Sequence, residues 1–450
     1  MMSQIVALSI FVVMFAFIIS GKVHRHIPAL VGAACTLVLV FLVCMHSPEA
    51  AWKTLNLECF LNKEFWYAPG AAESSSSGIN WSTIVFFIGM MIMVEGMGIA
   101  GFFRWLCLDL AKKVHYKVAP LFISFMLLSA VLAMFIDSIT VVLFMAAITV
   151  ELSLILKFNP VYMILPEIFC ANLGGAATMS GDPPNIIIGT SLGVTFTDFL
   201  FNTGLVVLIA LVLVVLFYYF RYHKKLTSGG PVDHLSGDLD PAKAIKSKPA
   251  FVSSLIIFLV TVVLLVTHAQ TGVTVASIGA LAGVLTLVVF NRHSGKILKG
   301  VDWETVLFFT GLFVVVGGLE ETGILEILSQ FIGNISGGNP IVMIMVILWV
   351  SAVASAFVDN IPFAATMVPV IRSLSATSGV DLSVLAWALA LGTDIGGNGT
   401  PIGASANVIG CAIAEKNGHR IGWGSYLMSA IPATLLVLVV CSIYLIVRYL

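Results

Sequence analysis

Charge is what this sequence has least of. Only 10% of its 450 residues are Asp, Glu, Lys or Arg, and 59% are hydrophobic. A soluble domain carries about 25% charged residues, so a water-soluble enzyme is excluded. The 22 Lys and Arg against 23 Asp and Glu leave a formal net charge of −1, and no bulk basicity points to nucleic acid. The seven cysteines (Cys35, Cys44, Cys59, Cys107, Cys170, Cys411 and Cys441) form no CxxC pair. Six read as small core hydrophobes and Cys59 falls in a polar loop, so a disulfide scaffold is excluded. There is no GxxxxGK[ST] loop, hence no ATPase of the chain's own. No catalytic triad is present, and no histidine pair at i, i+4 lies inside an apolar run. What the chain does have is hydrophobic length, with a mean hydropathy of +1.06.

A helix crossing hydrocarbon needs about 20 largely apolar residues. Such segments run at about 4–20, 27–45, 81–108, 161–190, 201–220, 250–268, 273–291, 303–328, 383–412 and 424–446. The first has Lys22 and Arg25 behind it and no small-residue cleavage site, which reads as a retained span and not a signal peptide. Two further apolar stretches, about 118–157 and 340–374, are each interrupted by an acidic residue. Each reads as a re-entrant hairpin of two half-helices. Placing the N-terminus outside puts eighteen basic residues, Lys22 and Arg25 among them, at the cytoplasmic face. Lys53, Lys63, Arg372 and Arg448 are left outside, the asymmetry of the positive-inside rule. The expectation is a multi-pass protein of the plasma membrane with both termini outside.

The sequence also repeats itself. The spacings 81 to 303, 137 to 359 and 185 to 407 are all 222 residues. The 24 residues from Trp81 match those from Trp303 at 8 positions, and the 16 from Asn172 match those from Asp394 at 6. Residues 1–221 and 250–450 thus read as two repeats joined by a cytoplasmic linker, 222–249. A second long loop, about 46–80, carries a serine run at 74–77. Five crossings per half make the second half upside down relative to the first. Inverted repeats with discontinuous helices are the mark of secondary transporters, which bind substrate near the midplane. The fold class expected is an all-α polytopic membrane protein: two inverted-topology repeats, about ten transmembrane helices, two re-entrant hairpins and two broken helices.

Two motifs recur in each half. The hairpin tips read FIDSIT (Asp137, Ser138, Thr140) and FVDNIPFAAT (Asp359, Asn360, Thr366). A carboxylate at membrane depth costs several kcal/mol, so it needs a partner or a task. N-capping the second hairpin arm is the plainer role; it is compatible with holding a proton or a cation. The segments GGAATMSGDPPN and GGNGTPIGASAN break the helices at 161–190 and 383–412, because Gly, Pro and Ser at this density cannot continue as helix in lipid. Unwound loops offer carbonyls to a cation, and the next half-helix offers N–H groups. Asn172/Asp394, Thr178/Thr400 and Asn185/Asn407 are the repeat-related polar pairs. Asp182 is matched by Ala404 and reads equally as a ligand or as a cap before Pro183. Glu95 reads as a scaffold charge paired with Arg104, and Glu151 and Glu167 as lying near helix ends. Glu320 and Glu321 read as reaching an interface, and Met90, Met91 and Met93 as packing.

VDNIPFAATMVPVI at 358–371, GGNGTPIGASANVIGCAIAEKNGH at 396–419 and GGAATMSGDPPNIIIGTS at 174–191 resemble the ion transporter superfamily. The branch they resemble contains the arsenite permease ArsB, the sodium/proton antiporter NhaD and the P protein. The resemblance implies an elevator-type motion of a transport domain against a scaffold. It also implies a site lined by the tips and broken helices: Asp137, Ser138, Thr140, Asn172, Gly174, Gly175, Thr178, Asp182, Asn185, Asp359, Asn360, Asp394, Gly396, Gly397, Asn398, Thr400, Ser405 and Asn407. Asp137, Asp359 and Asp394 are the expected proton carriers. Dicarboxylate carriers of the superfamily have Ser-Asn-Thr at both tips, where this chain has Asp137-Ser138-Ile139 and Asp359-Asn360-Ile361. Carboxylates there would repel an anion, which disfavours citrate or succinate uptake.

The leading expectation is proton-coupled efflux of a small inorganic solute, with arsenite first and Na⁺/H⁺ antiport close behind. A metal cation or a neutral hydroxide such as silicic acid also fits acidic tips. A passive channel and a permease subunit docked to a separate ATPase through 222–249 are the rivals from other classes. No cofactor is expected beyond the coupling ion, H⁺ or Na⁺, and any Na⁺ would sit at the same residues. The expected partners are the solute, the ion and the bilayer, with a homodimer left open.

Overall fold

The structure, a computed structural model, describes residues 2–68, 78–226 and 240–449. The serine run at 74–77 and residues 227–239 of the 222–249 linker lie outside them. The described residues are helical throughout apart from turns and one isolated β-bridge, Tyr67 with Val273. Among the described residues nine helices are long and apolar enough to cross a bilayer, or ten if one bent pair counts as a span. This is an all-helical, multi-span membrane protein.

The helices sort into two bundles by their contacts. The first contains α1 (Met2–Ser20), α2 (His26–Cys44), α3 (Pro48–Leu55) and α4 (Trp81–Ala100). Beyond α5 (Phe102–Lys113), the second bundle begins with α6 (Val118–Ala133), α7 (Ser138–Leu156), α8 (Val161–Gly175), α9 (Pro183–Leu192) and α10 (Phe196–Tyr222). The chain then returns to the first bundle with α11 (Lys248–Thr271), α12 (Val275–Val289) and α13 (Trp303–Glu321). After α14 (Ile324–Ser336), the second bundle is completed by α15 (Pro340–Phe357), α16 (Asn360–Ser378), α17 (Leu382–Gly397), α18 (Ser405–Lys416) and α19 (Trp423–Tyr449). In the first bundle α4 packs on α12 and α13 on α2; in the second, α6 packs on α8 and α15 on α17.

Small residues make these contacts close, since lipid tails leave van der Waals packing as the main attraction between helices. A Cβ on Gly89 would lie 1.8 Å from the Gly279 carbonyl oxygen, and one on Gly311, 222 residues on, would lie 2.6 Å from the Ala29 backbone. Gly89→Val therefore forces α4 off α12. The expected cost is about 3 kcal/mol, the upper end for overpacking, read as a lower melting temperature of the detergent-purified protein. An unchanged melting temperature would show that this contact is not close.

The two stretches expected as hairpins each fold into a pair of helices, α6–α7 and α15–α16, and one arm of each pair, α7 and α15, is itself long enough to cross a bilayer. Their tips turn because Asp137 and Asp359 hold extended backbones, with ψ of 142° and 132°. Asp137 accepts from the Thr140 amide at 2.9 Å and Asp359 from the Ile361 amide at 3.4 Å. Both broken helices are likewise present, as α8/α9 and α17/α18.

Other expectations need correction. The spans read at 81–108 and 303–328 are each cut in two, at Gly101 (φ +90°) and Gly323 (φ +75°), backbone positions that glycine takes without strain. Periodic hydrophobicity runs through both breaks, which is why the sequence hides them. Arg104, expected beside Glu95, makes two hydrogen bonds of 2.5 and 2.7 Å to Glu151. Glu167 sits in mid-helix in α8, fully buried, and accepts from the Thr149 hydroxyl at 2.6 Å. Glu321 does reach a contact, with Lys53 at 2.9 Å.

Candidate ion and substrate site

The two broken helices are laid against the hairpins by the same bonds in both halves. The Thr178 hydroxyl donates to the Met134 carbonyl, and that of Thr400 to the Ala356 carbonyl. Asn185 Nδ2 donates to the carbonyls of Gly175 (3.1 Å) and Thr178 (3.2 Å). Asn407 Nδ2 donates to those of Gly397 (2.8 Å) and Thr400 (2.9 Å). Each asparagine spends its two N–H bonds closing its own unwound loop, which leaves its Oδ1 directed elsewhere. A Cβ on Gly174 would fall 2.1 Å from the Ala130 carbonyl oxygen, and one on Gly396 2.3 Å from that of Ala352. These two glycines, expected as ligands, let a hairpin arm lie on the broken helix.

Asp182 settles in an unexpected place. It occupies the position before α9, yet its side chain caps nothing. One carboxylate oxygen accepts from Ser138 Oγ at 3.2 Å and the other from Asn360 Nδ2 at 3.1 Å. Ser138 and Asn360 are the matched residues of the two tips, so a single buried carboxylate joins both hairpins. Asp137, with Thr140, and Asp359 line the same region.

A second polar cluster lies at the crossing of the broken helices. Asn172 Nδ2 donates to Asn398 Oδ1 at 2.9 Å and to Asn407 Oδ1 at 2.8 Å. Asp394 is completely buried. Neither oxygen of Asp394 meets a donor, and Asn172 Oδ1 and Asn185 Oδ1 are also unpartnered. Buried acceptors are costly unless something supplies positive charge or a proton.

The expected equivalence of Asp137 and Asp359 fails. No basic residue is near Asp359 in sequence, but Arg25 reaches it from the segment before α2. Arg25 Nη1 donates to Asp359 Oδ2 at 2.6 Å and to Ser405 Oγ at 2.9 Å, and Nη2 donates to Thr305 Oγ1 at 2.6 Å. Asp359 is thus half of an ion pair between the bundles, not a free carboxylate. Asp137 instead faces Phe86, Phe87, Met90, Met91 and Val94 of α4.

Residues 15–392 match the citrate transporter (CitMHS) family. The chain belongs to that family. It is 32% identical over 449 residues to an uncharacterized transporter of Mycobacterium bovis, covering 99% of each chain. To the human P protein it is 26% identical, over 99% of this chain and 60% of that one. Among solved structures, the YdaH transporter of Alcanivorax borkumensis superposes with a TM-score of 0.58 at 13% identity, covering 81% of this chain and 84% of that one. MtrF of Neisseria gonorrhoeae, described as belonging to a class of antimetabolite efflux pumps, gives 0.56 at 13%, covering 89% and 85%. This family member is a membrane transporter and not an enzyme.

In this transporter the structure brings Ser138, Asp182 and Asn360 together, and likewise Asn172, Asn398 and Asn407, with Asp394 and Asn185 buried on the same broken helices. Gly175, Gly397, Thr178 and Thr400 serve through their carbonyls. Sequence reading missed Arg25, Thr305 and Asn80; Asn80 Nδ2 donates to Thr190 and Ser191 hydroxyls at 2.8 and 3.0 Å. A signal existed for one of these. Asn80 and Asp302 are 222 residues apart, and each caps the helix that follows it.

Proposed function

We propose that this chain is a proton-coupled secondary transporter of a small solute that offers positive charge or O–H donors to the site. The observation that carries the reading is Asp182, a buried carboxylate held by one neutral donor from each hairpin tip. Arg25 reaches tip two but is committed to Asp359, Thr305 and Ser405, so it leaves no open cationic group for a free citrate anion. Arsenite efflux, of the ArsB kind, came first from the sequence. The unpartnered carboxylate and amide oxygens move a monovalent cation exchanged for protons ahead of it, since oxygen ligands suit hard cations.

The two halves act as inverted repeats in this reading, and the second bundle moves against the first between two exposures of the site. What supports it is a mismatch. Tip one lies beside Phe86–Val94 of α4, whereas tip two is tied through Arg25 to Thr305 at the start of α13. On the 222-residue register Thr305 falls at Thr83, so these places differ by roughly one to three helical turns. A swap of the two arrangements gives the opposite exposure. Lipid-bilayer residence in the plasma membrane with both termini outside belongs to the same proposal.

The test is flux into proteoliposomes that hold an acidic interior. ²²Na⁺ uptake that stops when the pH gradient is collapsed is the expected result. Uptake of arsenite but not Na⁺ would replace the cation with a neutral hydroxide. Citrate uptake without either would overturn the reading.

A further inference from the structure

Between Asp240 and Asp302 the chain carries no acidic residue, yet it carries Lys243, Lys246, Lys248, Arg292, Lys296 and Lys299. These basic residues fall in two short stretches, one leading into α11 and one following α12. The fold brings the stretches together. Lys246 and Arg292, with Ser247, Asn291 and His293, line a cavity of about 520 Å³, a size usual for small-ligand sites. Its remaining lining is apolar: Ile99 and Ala100 of α4, Ala250 of α11, Val289 of α12 and Phe290. Among the described residues no carboxylate pairs with Lys246, Arg292 or His293. Glu95, one turn before Ile99 on α4, turns to Gly300, whose Cβ would lie 2.6 Å from its carboxyl carbon. Asp302 accepts from the Thr305 amide at 3.0 Å and Asp240 from the Ala242 amide at 3.1 Å. Positive charge is thus gathered in a concave place, and no described carboxylate neutralises it.

The basic segment is fixed on the end of α4. The Lys246 amide donates to the Ala100 carbonyl at 3.4 Å, and a Cβ on Gly101 would lie 2.0 Å from the Ala244 carbonyl oxygen. From the cavity, α11 and α12 run off with exposed apolar side chains, Val252 and Ile256 on one and Leu285 and Val288 on the other. We infer that this cavity binds the headgroup of an anionic phospholipid, its phosphate among Lys246, Arg292 and His293 and its acyl chains along α11 and α12. Basic pockets at the ends of membrane helices recognise such headgroups through charge, and an arginine offers a phosphate two parallel N–H donors. The apolar flank favours a lipid over a soluble phosphate, which would leave Val289 and Phe290 with nothing to cover. The lipid is a ligand of the first bundle, separate from the hairpin tips, and its site does not depend on which solute or ion is carried. It grips the chain where α4 ends at Gly101 and the path to the second bundle begins.

The experiment uses the full chain, purified in detergent and stripped of lipid. Dioleoylphosphatidylglycerol, dioleoylphosphatidylcholine or glycerol 3-phosphate is then added back. Melting temperature reads the binding, since a ligand of the folded state raises it, and native mass spectrometry counts the lipids retained. Wild type is expected to melt higher with phosphatidylglycerol than with phosphatidylcholine, and to keep one phosphatidylglycerol per chain. Lys246→Gln combined with Arg292→Gln removes two exposed charges. This variant is expected to need roughly 30-fold more phosphatidylglycerol for the same shift, about fivefold per charge. Lys112→Gln combined with Lys117→Gln removes as many exposed charges in and just after α5 and is expected to bind as wild type does. Equal responses of wild type to the two lipids overturn the inference, as does a phosphatidylglycerol response that survives in Lys246→Gln, Arg292→Gln. Equal weakening in Lys112→Gln, Lys117→Gln overturns the site, since charge placed anywhere would then suffice. Glycerol 3-phosphate as effective as phosphatidylglycerol overturns the lipid assignment.

Discussion

Asp182→Asn lowers proton-coupled flux by roughly 100-fold, toward the top of the usual range for a coupling free energy, and leaves the fold intact. The Asp182 carboxylate accepts one hydrogen bond from each hairpin tip, at 3.2 Å from Ser138 and 3.1 Å from Asn360. An asparagine of the same shape can keep the Ser138 bond, and rotation of the Asn360 amide can restore the other. The stability change expected is about 1 kcal/mol, the net worth of one ordinary hydrogen bond. What disappears is the charge, and with it the ability to bind a proton or attract a cation between the tips. Flux into proteoliposomes and the melting temperature of the same preparation separate the two effects. Wild-type flux in Asp182→Asn would reduce this residue to a structural tie.

Arg25→Gln changes which way the protein faces. Arg25 belongs to the first bundle, whereas its partners Asp359 and Ser405 belong to the second; Thr305, on α13, stands with Arg25. The guanidinium also stacks over the Phe308 ring at 5.4 Å. Breaking a buried ion pair costs about 3–5 kcal/mol, and the partial exposure of both side chains here, 22% and 15%, brings the figure to about 1–3 kcal/mol. That penalty falls on the described conformation and not on one in which tip two has moved away from Arg25. The equilibrium between exposures therefore shifts by roughly 5- to 150-fold. A cysteine placed at Ser405 reads the shift: its labelling by a membrane-impermeant maleimide changes by that factor, from one side of the vesicle. Labelling that is the same with and without the Arg25→Gln substitution would mean the ion pair ties the bundles without biasing them.

Most of the architecture was legible because hydrophobic length and helix breakers report directly on a membrane fold. The turns at Asp137 and Asp359 were found from one acidic residue inside an apolar run, and the broken helices from Gly, Pro and Ser where lipid tolerates none. The same reasoning could not see Gly101 and Gly323 as breaks, since one glycine in an apolar stretch is common and only the local φ reveals its use. The site was legible as a set of residues and not as contacts. The 222-residue register gave Asn172/Asp394 and Asn185/Asn407 as pairs, but the bond that one pair makes and the other lacks is a matter of atoms. Asp182 could be read as a cap or a ligand because sequence gives its position before Pro183 but not the direction of its side chain. Arg25 was invisible for a different reason. It lies 334 residues from Asp359, and charge counting assigned it to a loop facing water.

The central claim, that buried carboxylates here exchange protons for a transported solute, is tested most directly in everted membrane vesicles. Respiration acidifies their interior, a pH-sensitive dye reports the gradient, and NaCl or LiCl is then added. The gradient is predicted to collapse within the dye response in vesicles carrying the wild-type chain, and to hold in those carrying Asp182→Asn or Asp394→Asn. A gradient that holds in wild type for Na⁺, Li⁺ and arsenite alike, with respiration confirmed, would contradict the account.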